Sequence, residues 1–198
     1  MDRQLYRILL SIVSFVFILG VTAGALLAHR MDAGPDSALF AYLQGYAGLV
    51  QQDGGIPLWR AFADAFLFPA LALAAGFTLF GAAVIPLLLL VRGFLLSFSI
   101  AAFVSVFGIN GLWLALGELG FQCVFGVPCL IVLSAYGAHM ALKLLSVARG
   151  GLPGGGAMIN RGLVLRLGIC TLLLTACALT DAYATPILRD WIAARVFI

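Results

Sequence analysis

Residues 66–107 form a run of 42 positions with one charged side chain, Arg92, near its middle. A helix rises about 1.5 Å per residue, and the hydrocarbon core of a bilayer is roughly 30 Å thick. The run is long enough to cross such a core twice, which puts Arg92, Gly93 and Phe94 at the turn of a helical hairpin. That reading places the chain in a membrane rather than in water.

Composition agrees across the whole length. The 198 residues are 64% hydrophobic and 10% charged, with a mean hydropathy of +1.15. Soluble domains carry about 25% charged residues. The length suits one membrane domain and leaves little room for an aqueous module. A pI near 8.8 rests on only 11 Lys and Arg, too few and too dispersed for a nucleic-acid surface.

The pattern predicts an all-α, polytopic helical bundle of about five membrane spans. The first covers residues 8–28. Ala23-Gly24-Ala25 mimics a signal-peptide cleavage site, but the apolar run continues past it, as in an uncleaved anchor. Residues 29–64 turn polar, with breakers at Gly34-Pro35 and Gly54-Gly55-Ile56-Pro57. Between them Leu39, Phe40, Tyr42, Leu43, Tyr46, Leu49 and Val50 recur at helical spacing, as in an interfacial amphipathic helix. The hairpin supplies spans at 66–90 and 93–107. Residues 109–122 contain Asn110, Glu118 and Gln122 and are too short and too polar to cross, so a re-entrant or interfacial segment is expected. Spans at 123–147 and 162–180 follow, separated by a glycine-rich loop at 148–161, and 181–198 form a tail.

Charge orients this arrangement. With the N-terminus in the cytoplasm, the inner basic residues are Arg3, Arg7, Arg92, Lys143, Arg149, Arg161 and Arg166. Arg30, Arg60, Arg189 and Arg195 lie outside. The excess follows the positive-inside rule and leaves the C-terminus extracytoplasmic.

A search for chemistry returns no catalytic set. Nucleophilic, acid–base or metal catalysis requires grouped side chains at one depth. The histidines, His29 and His139, are far apart, and no paired carboxylates or phosphate-binding Gly-Lys-Ser/Thr occur. Cys123 and Cys129 are six apart, and Cys170 and Cys177 seven apart; neither spacing is a zinc or redox motif. No cofactor and no metal are expected. Gly20-Val21-Thr22-Ala23-Gly24 is a small-xxx-small face that permits close helix approach, within the chain, to a partner or to a second copy.

Two polar groups stand at one membrane level. Glu118 and Gln122 precede the fourth span, and Asp181-Ala182-Tyr183-Ala184-Thr185-Pro186 closes the fifth. The proline ends the helix and frees carbonyls upstream, leaving Asp181, Tyr183 and Thr185 to cap the helix or to hold a partner.

These residues also carry a resemblance. Arg92-Gly93-Phe94-Leu95-Leu96-Ser97-Phe98, Gln122 with Val127-Pro128-Cys129-Leu130-Ile131, and Asp181–Pro186 resemble, in order, three motifs of the stage II sporulation protein M family. Asp181 stands where the family pattern has Glu, and Phe121-Gln122-Cys123 replaces a more polar triplet. The resemblance implies a non-enzymatic scaffold in the bacterial cytoplasmic membrane. Its partners would be cell-wall hydrolases of lytic transglycosylase and amidase types, acting in septal wall thinning and engulfment. The segment His29–Asp64 together with Asp181, Tyr183, Thr185, Pro186, Glu118 and Gln122 would form the recruiting face. The competing reading is a transporter or permease-like subunit, with breaks at Pro86, Pro128 and the Ile109–Gln122 segment framing a midplane site.

Overall fold

A computed structural model describes residues 3–30, 58–148, 165, 167–180 and 183. Every element among them is helical, with no strand. The elements are α1 (Arg3–Arg30), α2 (Leu58–Gly76), α3 (Gly81–Phe121), a π-helical segment (Gln122–Gly126), α4 (Val127–Ala148) and α5 (Leu167–Thr180). Among the described residues, three stretches are long and apolar enough to cross a membrane alone: Gln4–Arg30, Gly81–Val106 and Gln122–Ala148. Phe62–Gly76 and Leu167–Thr180 are shorter apolar helices. Of the polar segment expected over 29–64, residues 31–57 lie outside the described residues, and 58–64 begin α2. The loop at 149–161 and the tail, apart from Tyr183, also lie outside them.

The hairpin is real, but its turn is not at Arg92. The chain turns at Phe77–Phe80, and Arg92 lies inside α3, so spans at 66–90 and 93–107 are replaced by α2 and the first arm of α3. The cause is local. Thr78 ends α2 by directing both its N–H (2.9 Å) and its hydroxyl (2.8 Å) to the Ala75 carbonyl. Gly81 then restarts the helix against the Ala75 carbonyl, where a Cβ would collide with it. Arg92 has no reason to break a helix, since arginine is a good helix former. A four-residue turn whose one polar residue is Thr78 carries no charge to mark it in the sequence.

α3 itself is bent. Gly108, at φ 60 and ψ −137, breaks the helical geometry. A straight helix would hold Phe103 and Ala115 about 18 Å apart, yet they share a buried cluster with Ala102. The arm at 109–121 therefore folds back along the arm at 81–107. This return brings Gln122 to the level of Arg92.

Close backbone packing joins the bundle. α1 runs parallel to α3, with Gly20 against Leu90 and Gly24 against Phe94. A Cβ on Gly24 would stand 2.5 Å from the Phe94 carbonyl oxygen, and one on Gly93 2.6 Å from that of Phe17. The small-xxx-small face of α1 is thus occupied within the chain. α2 meets α4 in the same way, with Gly76 against Gly137. α4 is the central helix: every residue from Leu133 to Ala141 is buried, as expected of a helix surrounded on all sides. Leu9, Val13, Ala72, Ile85, Leu89, Leu130 and Ala138 form the core where α1, α2, α3 and α4 meet. Cys129, Leu133, Cys170 and Leu174 join α4 to α5.

Candidate functional site

Arg92 lies eleven residues into α3, about 16 Å along the axis from Gly81, or half the depth of a ~30 Å hydrocarbon core. An arginine at the centre of a membrane helix costs about 2.5–3.5 kcal/mol on insertion scales. It persists only where its surroundings offset that cost, and such residues mark functional or structural sites.

The offset comes from several elements at once. The Arg92 guanidinium carbon lies 4.7 Å from the centroid of the Phe68 ring on α2. That is well within the roughly 6 Å range of cation–π attraction, which contributes about 2 kcal/mol when desolvated. Asp64, one helical turn before Phe68, lines a small cavity together with Arg92 and supplies negative charge to it. Gln122 from the π segment, Val127 and Leu130 from α4, and Leu174 and Cys177 from α5 complete the wall. The cavity measures ≈ 20 Å³.

Pieces of the sequence far apart in the chain meet here. Arg92 belongs to the first motif, and Gln122 and Val127 to the second. Cys177 stands four residues before Asp181, which opens the third. Gly93 is buried against Phe17 and Val21 of α1, and Phe94 stacks on Phe98 at 5.8 Å and 11°. The three-residue Arg92-Gly93-Phe94 unit therefore serves three contacts within the bundle rather than a turn.

The remaining expected site residues divide. Gln122 is half-buried and part of the cavity. The backbone of Glu118 lies in the returning arm of α3, one turn before Gln122. Tyr183 is helical and 62% exposed, free to meet another molecule on most of its surface. Asp181, Thr185 and Pro186 lie outside the described residues.

Sequence reasoning missed Asp64, Phe68 and Cys177. The polar segment expected over 29–64 takes in Asp64, which the structure places on α2 one turn before Phe68. It also missed that Cys129 and Cys170, remote in sequence, bring their thiols into contact between α4 and α5. His139 is buried at 6% exposure and engages a partner. Among the described residues, no group of His, Cys, Asp and Glu could hold a metal ion.

Two wider grooves flank α3. One of ≈ 520 Å³ runs between α1 and α3, and one of ≈ 430 Å³ between the two arms of α3; Ile100 and Cys123 border both. The groove between the arms of α3 is almost entirely apolar, which suits lipid chains, whereas His29, Ser97 and Ser105 add polar groups to the other.

Comparison with known proteins adds a family. The model of the family described as Stage II sporulation protein M matches residues 13–186, an interval that contains Arg92, Gln122 and Asp181–Pro186. No curated protein and no solved structure matches the chain.

Proposed function

The chain belongs to the stage II sporulation protein M family, a sporulation-related membrane protein family, and from that membership we propose a non-enzymatic scaffold. It gathers extracytoplasmic peptidoglycan hydrolases of lytic transglycosylase and amidase types, as in septal wall thinning and engulfment. The observation that carries this reading is the family match over residues 13–186, which takes in all three motifs.

The Arg92 cavity supports it by its size. A charged residue at mid-depth is the mark of a transport path, and it is the specific feature that favours a permease-like subunit. A cavity of ≈ 20 Å³, however, admits nothing much larger than water. The cation serves to join helices rather than to pass a solute. Solute flux through reconstituted protein that is lost in Arg92→Met would favour the permease reading instead.

In the scaffold reading the N-terminus is cytoplasmic. With Arg92 inside a helix, the inner basic residues are Arg3, Arg7, Lys143, Arg149, Arg161 and Arg166, still in excess of Arg30, Arg60, Arg189 and Arg195. The recruiting face then lies outside, with Tyr183 as its exposed aromatic anchor in the Asp181–Pro186 motif. Exposed tyrosines are frequent anchors of protein interfaces. The test is localisation of fluorescently labelled hydrolases in cells with and without the chain. Septal enrichment that depends on the chain supports recruitment, and enrichment unchanged by its removal contradicts it.

A further inference from the structure

Pro69 lies inside α2 and has no N–H to give to the carbonyl four residues back, that of Ala65. Ala65 and Pro69 both line the cavity beside Arg92, together with Asp64 and Gln122. The cavity is therefore walled by residues that carry a guanidinium, an amide and, at its exposed edge, a carboxylate, and it borders the turn of α2 in which the Ala65 carbonyl lacks its helical partner. In a bilayer each unsatisfied backbone group costs several kcal/mol, and ordered water is one means by which proline-broken helices recover the loss.

We propose that this cavity is a water-binding site holding one molecule between Arg92 and Gln122 on one side and Asp64 and the Ala65 carbonyl on the other. Size and charge both select water. A water needs about 10–15 Å³ of cavity and two to four polar partners, and the site offers ≈ 20 Å³ with donors and acceptors both present. Arg92 repels a cation and Asp64 repels an anion, so a small neutral dipole is the species that fits. The bound water completes the polar junction of α2, α3, the π segment and α5, and keeps the Arg92 charge solvated at mid-depth.

Hydroxyl-radical footprinting of the full chain in lipid nanodiscs tests this, because radiolysis of a bound water modifies the side chains beside it. Phe68 should be oxidised severalfold faster than Phe66, its half-buried neighbour at the same depth, and faster than the buried Phe103. Pro69→Ala restores the helical N–H, and Gln122→Leu removes a donor; each should lower the Phe68 rate toward that of Phe66. Equal oxidation of Phe68, Phe66 and Phe103 in protein that retains its helical circular dichroism would overturn the site. So would a wild-type excess at Phe68 that neither variant reduces, or bromide found there by anomalous scattering.

Discussion

Arg92 and Phe68 face each other at 4.7 Å, cation over ring, and tie α3 to α2 at the depth where a charge is most costly. The contact explains how a helix of this apolarity keeps an arginine in its interior. It also fixes what substitution should do. Phe68→Leu removes the ring and leaves the charge, so it should destabilise the folded protein by about 1–2 kcal/mol. Arg92→Met removes the cation but leaves the Asp64 carboxylate beside it without its counter-charge. It should therefore destabilise at least as much as Phe68→Leu, because apolar replacement is near neutral only when both partners of an ionic pair are replaced. Unfolding of the two single variants and the double variant in mixed micelles gives the coupling directly. Additive effects would show that the ring and the cation do not interact.

The α1–α3 interface depends on missing side chains. Gly24→Ala would place a Cβ 2.5 Å from the Phe94 carbonyl oxygen, inside contact distance of a rigid backbone, so the helices must separate. A loss of about 1–3 kcal/mol is expected for overpacking of this kind. Gly168→Ala on α5 is the control: a Cβ there meets nothing within 4 Å, and the change should be neutral or slightly stabilising. Thermal unfolding of both variants in the same detergent checks the contrast.

Gly108 reverses the chain with a backbone conformation open to glycine and costly for other residues. Gly108→Ala meets no obstructing atom, so its effect isolates the conformational cost, about 1–3 kcal/mol. The loss should appear locally, as faster hydrogen exchange in the arm at 109–121 with α1 and α4 unaffected. Uniform acceleration throughout the bundle would show that the reversal is not a separable element.

Much of this architecture was legible in the sequence. The helical class, the membrane setting and the apolar runs follow from composition and run length, because a bilayer leaves little choice of backbone structure. The turn was not legible, because one charge in a 42-residue apolar run marks an exit from the membrane as readily as a charge held within it. The energetics ran the other way. Phe68 and Asp64, on a different helix, offset the charge, whereas Thr78 and Gly81 make the turn without any charge. The cavity was hidden for the same reason: its members, from Asp64 to Cys177, are assembled by packing, and no local spacing announces them.

The position of the turn has a topological consequence. A cysteine placed at Thr78 in a chain with Cys123, Cys129, Cys170 and Cys177 replaced by alanine should react with an impermeant maleimide from the cytoplasmic side alone. A cysteine at Leu90 or Val91, beside Arg92, should resist the reagent from both sides. Labelling at Val91 with protection at Thr78 would restore the hairpin turn to Arg92.

The central claim, that the chain gathers hydrolases on its outer face, is tested most directly by quantitative co-purification from solubilised membranes. Peptidoglycan-cleaving activity of transglycosylase and amidase types should be retained on the wild-type chain. It should fall severalfold with Tyr183→Ala and with Asp181→Ala, while Leu172→Ala, an exposed apolar change on α5, retains it. Wild-type protein that inserts correctly and retains no such activity, or activity equal in all variants, would contradict the claim.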